Sequence, residues 1–184
     1  MQKNKINTKS LVCCALLAAV SVVMARVLCF ATPDGVRWSA DKFPLFLAGL
    51  FFGPVLGGLT GFTADFLGSI MQFGFNPLLC PPAILYGVFG GLLRHFIRKN
   101  PNIFRLAVSY LFPIVIGSIL YQSLMLSYFY FDGTLWAGFL YYLGTRTFQF
   151  SIMLVVEVAI LFLLLKTKIF TRMGLWNVGK DENA

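Results

Sequence analysis

Charged residues are scarce in this chain. Only 12% of its 184 residues are Asp, Glu, Lys or Arg, whereas soluble globular domains carry about 25%. Hydrophobic residues make up 58%, and several apolar runs are as long as a membrane-spanning helix. The shortage of charge therefore excludes an ordinary soluble domain. It predicts a polytopic membrane protein folded as a single domain over residues 1–184.

Residues that bind metals or carry out covalent chemistry are equally scarce. The single histidine, His95, has no cysteine or carboxylate at ligand spacing. No CxxC pair is present, and the cysteines are typical of small buried hydrophobic side chains: Cys13, Cys14, Cys29 and Cys80. A P-loop and a GxSxG motif are also missing. We expect no metal, no cofactor and no catalytic residue, and a chain that depends on other subunits for energy.

The basic residues follow the ends of the apolar runs. The net charge is +8, and the Lys and Arg residues gather before the first run, at 94–105, and after the last run. Such clusters mark the cytoplasmic side of membrane proteins. Because no basic face alternates with exposed aromatic residues, we expect the lipid bilayer and no nucleic acid as a partner.

The apolar runs predict an all-α bundle of six membrane-spanning segments with both termini cytoplasmic. We place the segments at about 10–31, 43–52, 54–72, 82–98, 103–131 and 135–166. Pro113 predicts a kink within the fifth segment. Residues 32–42 are the longest polar interruption, and their turn-forming Pro33, Asp34 and Gly35 predict an external loop, here called loop one.

The glycine-rich stretch Phe43–Ser69 determines how the other segments are predicted to cross the membrane. Glycines recur at every fourth position, Gly49, Gly53, Gly57 and Gly61, and this spacing leaves a groove where another backbone can approach. A turn at Gly53-Pro54 is required if the basic cluster at 94–105 is to be cytoplasmic. The segment 43–52 then covers about 15 Å of a core about 30 Å thick. Loop one must therefore dip into the bundle, where it would form a lid.

Three ionisable residues lie deep in apolar runs: Arg26, Asp65 and Arg146. In the predicted topology all three fall roughly 8–15 Å below the outer face. Each would cost about 2.5–3.5 kcal/mol if it faced lipid, so we favour a shared pocket that binds an anion. Two alternatives stay open: Arg26 could reach the outer interface by snorkelling, and Asp65 could belong to a structural ion pair.

Neighbouring residues extend the predicted pocket. Gln149 shares a helix face with Arg146, and Arg37 and Trp38 lie on loop one. Aromatic side chains at compatible depth are further candidates, although belt or core packing would also explain them: Phe30, Tyr121, Tyr141 and Tyr142. We expect Glu157 to lie too deep for this pocket and to pair with a cytoplasmic base such as Arg94.

The first helix carries a face of small residues formed by Ala15, Ala18 and Ala19. Such a face serves either helix packing inside the bundle or docking to another membrane protein. The sequence alone leaves both interpretations open.

Two stretches resemble the substrate-binding S components of energy-coupling factor (ECF) transporters, and more narrowly the folate-specific type. They are FPLFLAGLFFGPVLGGLTGFTADFLGS at 43–69 and PPAILYGVFGGLLRH at 81–95. The alanine face looks like the family's docking motif, and the resemblance extends over about residues 10–165. It implies a six-helix importer subunit in a bacterial cell membrane, which binds folate under loop one. Its implied partners are one transmembrane coupling protein and two ATPase subunits.

Folate suits the residues named above. The resemblance implies that its glutamate tail, a dianion, meets Arg26, Arg146 or Arg37, and that its rings lie on aromatic faces. The pterin N–H groups would be accepted by Asp65 or Gln149. Which arginine meets which end of the ligand stays open. Alternatives are an S component for another vitamin, a small integral membrane enzyme, or a structural membrane partner.

Overall fold

The computed structural model of the chain describes residues 8–27, 29–31, 37–71, 76–99, 102–130 and 133–167, and all structural statements concern these residues. Helices dominate, with one short hairpin near the N-terminus. The elements in chain order are α1 (Thr8–Val27), β1 (Phe30–Ala31), β2 (Arg37–Trp38), α2 (Phe43–Phe52), α3 (Pro54–Ile70), a 3₁₀ turn (Pro77–Leu79), α4 (Pro81–Leu92), α5 (Arg94–Lys99), α6 (Ile103–Pro113), a π segment (Ile114–Tyr121), α7 (Gln122–Tyr130) and α8 (Leu135–Lys166).

The first helix is shorter than predicted. It ends at Val27, and Phe30–Ala31 pairs antiparallel with Arg37–Trp38, with Phe30 opposite Trp38. The prediction of a helix to residue 31 is therefore wrong for its last residues. Strand pairing with β2 satisfies backbone groups that a continued helix would have bonded internally. Residues 32–36, which carry the predicted turn, lie outside the described residues.

The break at Gly53 is confirmed. Gly53 has φ of 95°, in the left-handed region that favours glycine, and Pro54 begins the next helix. The helix before it, α2, has ten residues, and every one is buried. The boundaries of α2 and α3 agree with the prediction, except that α3 ends at Ile70. A half-length helix thus lies at the centre of the bundle and not at its surface.

Glycine contacts pack α2, α3 and α4 together. A Cβ added at Gly49 would overlap the carbonyl oxygen of Gly87, and one added at Gly57 would overlap that oxygen and the Gly49 backbone. Similarly, a Cβ at Gly91 would overlap the backbone of Pro54. The predicted groove is therefore real, and the backbones that occupy it belong to all three helices.

The second half of the chain departs from regular helix at two points. The predicted helix 82–98 is interrupted at Leu93, where α4 ends and α5 begins. Pro113 is followed by eight residues of π-helix. Proline lacks an N–H and cannot complete the helical bonding pattern, so a shift in register next to it is a common adjustment. Within this segment, a Cβ added to Gly117 would lie 3.3 Å from the Pro82 backbone of α4.

Three described helices are long and apolar enough to cross a membrane. They are Thr8–Val27 with 20 residues, Ile103–Phe129 with 27 and Leu135–Lys166 with 32. The apolar helices Phe43–Phe52 and Pro77–Leu92 are shorter. An all-α membrane protein is thus supported, whereas the count of six crossings and their orientation stay predictions.

Candidate functional site

The inner end of loop one lies inside the bundle. The Ser21 hydroxyl of α1 donates a 2.7 Å hydrogen bond to the carbonyl oxygen of Asp41, and both residues are buried. Ser21 precedes the end of α1 at Val27 by six residues, which corresponds to about 9 Å along the helix. Loop one therefore descends well below the end of α1 before α2 begins.

Asp41 and Lys42 form a partly buried ion pair at this point. The Lys42 ammonium donates to Asp41 Oδ2 at 2.7 Å, and the Ser39 hydroxyl donates to Oδ1 at 2.7 Å. Burial alone would lower the pKa of Lys42. However, the charge and hydrogen bond of Asp41 outweigh it, and the charges of Asp65 and Glu157 add to the effect, so the pKa is raised. Asp41 is thus the ion-pair partner of this ammonium, while the charges of Asp65 on α3 and Glu157 on α8 act on it more weakly.

Arg26 reaches across to α3. Its Nη2 donates to the carbonyl oxygen of Gly68, which lies one helical turn after Asp65. This contact joins α1 to α3 near the end of both helices, and a place in the site and a place at the interface both stay open for Arg26. Because α1 ends one residue after Arg26, the predicted depth of five residues below the helix end is wrong.

Asp65 offers a free acceptor on the same face of α3. Its Oδ2 is buried and has no hydrogen-bond partner in the described part of the chain. The carboxylate lies near the thiol of Cys80, on which its charge acts. A ligand N–H group that reached Oδ2 would therefore satisfy an acceptor that is otherwise costly to bury.

Arg146 lies among aromatic residues on α8. Its guanidinium is 5.9 Å from the centre of the Phe150 ring, and Tyr142 one turn earlier also interacts with it. Gln149 is buried, with 7% of its surface exposed, so it belongs to the inner face of α8. This arrangement combines a cation, a ring face and an amide within two turns of one helix.

The remaining predicted residues fall into two groups. Trp38 is half-buried, whereas Phe30 and Arg37 are placed by their backbone only, and their side chains lie outside the described residues. Tyr121 donates from its hydroxyl to the carbonyl oxygen of Leu78 at 3.0 Å. Tyr121 therefore holds the 3₁₀ turn before α4 through its hydroxyl hydrogen, and the hydroxyl oxygen can still accept a hydrogen bond.

Glu157 is placed differently from the prediction. It is almost fully buried, and the Tyr110 hydroxyl donates to its Oε2 at 2.8 Å. The expected pairing with Arg94 is therefore wrong, because a tyrosine of α6 takes that position. Lys42 is close enough for the charge of Glu157 to act on it. Glu157 thus lies near the inner end of loop one.

Sequence reasoning missed most of this buried polar network. Tyr86 and Ser118 share a 3.0 Å hydrogen bond, and Tyr110 packs edge-on against Phe46 at 5.0 Å between ring centres. Isolated tyrosine and serine residues inside apolar runs were the available signal. Belt and core tyrosines look alike in sequence, so the signal could not have identified this network.

The structure also changes the charge balance that the sequence predicts for the interior of the bundle. The sequence predicts a positive site from two arginines and Asp65. The structure adds Lys42, Asp41 and Glu157 to the same interior. Positive charge is therefore concentrated at Arg26 and Arg146, while Lys42 has carboxylate neighbours.

The alanine face of α1 is only partly available. Ala15 and Ala19 are exposed, but Ala18 is 4% exposed and packs in the core. The prediction that Ala18 belongs to a docking surface is therefore wrong, because its side chain is already covered by the bundle. An exposed strip that contains Ala15 and Ala19 remains.

Comparison with known proteins identifies the family. Residues 9–165 match the family described as ECF transporter, substrate-specific component. The chain belongs to this family. An ECF substrate-specific component is a transport subunit and not an enzyme, so the resemblance stated above is confirmed and the enzyme alternative is excluded.

The individual relatives that match this chain carry two different names. The chain is 33% identical over 81 residues to the folate transporter FolT of Clostridium novyi (strain NT), across 41% of this chain and 46% of that protein. It is 30% identical over 118 residues to a UPF0397 protein of Clostridium perfringens (strain SM101 / Type A), across 62% and 63%. The chain thus spans less than two thirds of these curated relatives.

A solved structure gives a broader match. The crystal structure of FolT bound with folic acid superimposes on this ECF component with a TM-score of 0.68 at 25% identity. The match covers 85% of this chain and 92% of that one.

Proposed function

We propose that this chain is the folate-binding S component of an ECF-type vitamin importer in a bacterial cytoplasmic membrane. It would cross the membrane six times with both termini cytoplasmic, capture folate from outside under loop one, and deliver it with an ATP-driven coupling module. The likeness to the folic-acid-bound FolT structure over 92% of that chain carries this proposal.

The chemistry of the site supports an anionic ligand with N–H donors. Arg26 and Arg146 present guanidinium groups, which suit the two carboxylates of the glutamate tail. Asp65 Oδ2 is a buried acceptor without a partner in the described residues, and it suits a pterin N–H group. Phe150, 5.9 Å from the Arg146 guanidinium on α8, and Trp38 on loop one are the aromatic residues that we expect to pack against the ligand rings.

Binding by the purified chain tests the proposal. We expect a saturable change in tryptophan fluorescence when the full chain in detergent is titrated with folate, and no change with riboflavin, thiamin or pantothenate. Arg26→Ala, Arg146→Ala and Asp65→Asn should each weaken binding by about tenfold or more, which is about 1.4 kcal/mol.

Arg105→Ala is the matched control, because its guanidinium packs 5.0 Å over Phe96, away from these groups. Unchanged affinity in all three site variants would refute the assignment of the pocket. Absence of folate binding by the unmodified chain would refute the proposed substrate.

A second candidate is an S component for a different small molecule. The similarity to the UPF0397 protein, which extends over more of the chain than the match to the FolT sequence, favours it. The same titration distinguishes the two, since saturable binding of another vitamin in place of folate would support this second candidate.

A further inference from the structure

Glu157 is a buried carboxyl group that takes no part in the proposed contacts with folate. It lies on α8 with 1% of its surface exposed. The Tyr110 hydroxyl of α6 donates to its Oε2 at 2.8 Å, whereas its Oε1 is buried and has no hydrogen-bond partner in the described part of the chain. Ionisable side chains inside a membrane bundle are rare and costly, so this one requires an explanation.

A carboxylate at this position would need a cation, and the cation that acts on it is already paired. The Lys42 ammonium lies 2.7 Å from Asp41 Oδ2, which is its ion-pair partner within the described ranges. Glu157 acts on Lys42 only as a more distant charge. One ammonium neutralises one carboxylate, so Asp41, Lys42 and an ionised Glu157 would together carry one net negative charge. With a proton on Glu157, the same three groups are neutral.

The other elements around α8 bring no further cation to Glu157. Tyr110 on α6 and Tyr86 on α4 face it with uncharged phenol groups. The π segment, α7 and α2 contain no charged residue, and Arg105 of α6 packs on Phe96 instead. Arg146 precedes Glu157 by eleven residues, which corresponds to about 16 Å along α8. An ionised Glu157 would therefore stay uncompensated.

The protonated form fits the hydrogen bond that is present. In a neutral carboxyl group, Oε2 as the carbonyl oxygen accepts from Tyr110, and Oε1 carries the proton. Burying one unbonded hydroxyl costs much less than burying an uncompensated carboxylate. The surroundings therefore favour a proton on Glu157.

We propose that Glu157 is a proton-binding site, which keeps its proton at neutral pH and makes the charge of the bundle interior depend on pH. When the proton is released, the group formed by Asp41, Lys42 and Glu157 gains one negative charge. Glu157 needs no contact with the substrate for this effect.

Infrared spectroscopy of the full chain in detergent tests the proposal without a ligand. A protonated carboxyl group has a C=O stretching band that an ionised one lacks. We expect such a band at about pH 7, where an ordinary Glu has lost its proton, and we expect Glu157→Gln to remove it. Asp65→Asn is the matched control, because Asp65 Oδ2 is also buried, and it should keep the band. Absence of the band from the unmodified chain, or its persistence in Glu157→Gln, would overturn the proposal.

Asp41→Asn tests the charge balance behind the proposal. Without the Asp41 carboxylate, Lys42 becomes available to neutralise Glu157. The infrared band should therefore disappear at a lower pH than in the unmodified chain. A band that persists to the same pH would contradict the shared ammonium on which the proposal rests.

Thermal unfolding gives a second measurement that needs no ligand. In the unfolded chain Glu157 loses its proton near an ordinary pKa of about 4.3, whereas the folded chain retains it. Stability therefore falls as the pH rises above this value, until the folded chain has also released the proton. Glu157→Gln cannot titrate, so its unfolding temperature should rise relative to that of the unmodified chain as the pH is raised to neutrality. A difference that is independent of pH would overturn the proposal.

Folate affinity connects the proton to the proposed function. A ligand carboxylate at Arg146 would lie about 16 Å from Glu157, where one negative charge weakens binding by about fivefold. We expect this loss at alkaline pH in the unmodified chain and not in Glu157→Gln, and equal pH dependence in both would contradict it. If the chain does not bind folate, the proposed function fails, and the infrared and unfolding results alone decide this inference.

Discussion

The two halves of the bundle are packed by different means. In α2, α3 and α4 the backbones touch, because glycines lie at the crossing points. In α6, the π segment and α8, side chains make contacts such as the hydrogen bond between Tyr110 and Glu157. All ten residues of α2 are buried, against seven of the 32 in α8.

This difference separates a rigid part from an adaptable one. Where two backbones touch, no side chain lies between them that a substitution could make smaller. The distances between α2, α3 and α4 are therefore fixed. Side-chain contacts can be altered by substitution without moving a helix. The glycine-packed half therefore sets the frame that holds Asp65, whereas Arg146 and Gln149 of the proposed site lie on α8 in the half that is packed through side chains.

The largest expected effect comes from adding a side chain at a backbone contact. Gly49→Leu would force its side chain against the carbonyl oxygen of Gly87, and we expect a loss of about 3 kcal/mol or more, or failure to fold. Gly144→Leu is the control, because nothing lies within 4 Å of a Cβ at Gly144. Thermal unfolding in detergent should separate the two variants clearly. Equal unfolding temperatures would contradict the rigid-frame interpretation.

A smaller effect is expected from removing a hydroxyl in the adaptable half. Tyr110→Phe takes from Glu157 the donor at 2.8 Å and leaves a buried acid poorly satisfied, which costs about 1–3 kcal/mol. Tyr86→Phe removes only the 3.0 Å bond to Ser118, so its cost should be about 0.5–1.5 kcal/mol. The same unfolding measurement compares them. A larger loss in Tyr86→Phe would mean that Glu157 has another donor.

The smallest effect on stability is expected on the outer face of α1. Ala15 and Ala19 are exposed, so Ala15→Leu and Ala19→Leu should change the free energy of unfolding by less than about 0.5 kcal/mol. If this strip docks to the coupling protein, vesicle uptake should be abolished while folate affinity is retained. Loss of binding with an intact transporter complex would show that the strip belongs to the bundle instead.

Much of the glycine-packed half could be predicted from sequence. The break between α2 and α3 was predicted from a Gly-Pro pair and from the number of crossings needed to bring every basic cluster to the same side of the membrane. The close contact was predicted from glycines four residues apart. Both signals are local, and few backbone arrangements satisfy them. The partner helix α4 carries its own glycines, Gly87 and Gly91, whose role was not predicted because their pairing is a tertiary property.

The site was predictable only in outline. Arg26, Asp65 and Arg146 stood out because charge is costly in lipid. Asp41, Lys42 and Glu157 did not, because two of them belong to polar loop one and the third was assigned to a basic partner close to the cytoplasmic side. The end of α1 at Val27 was also missed. Strand pairing of Phe30–Ala31 depends on residues beyond the turn, and an apolar run gives no sign of it.

The central position of α2 has a consequence for how the protein is made. A segment of ten residues reaches only about half-way through the hydrocarbon core, so the insertion machinery cannot release it into lipid as a separate spanning unit. Its neighbours include α8, the last described helix to leave the ribosome. A chain that stops before α8 therefore lacks one of the helices against which α2 packs. Arg146 and Gln149 of the proposed site also lie on α8, so that site can form only after α8 has been made.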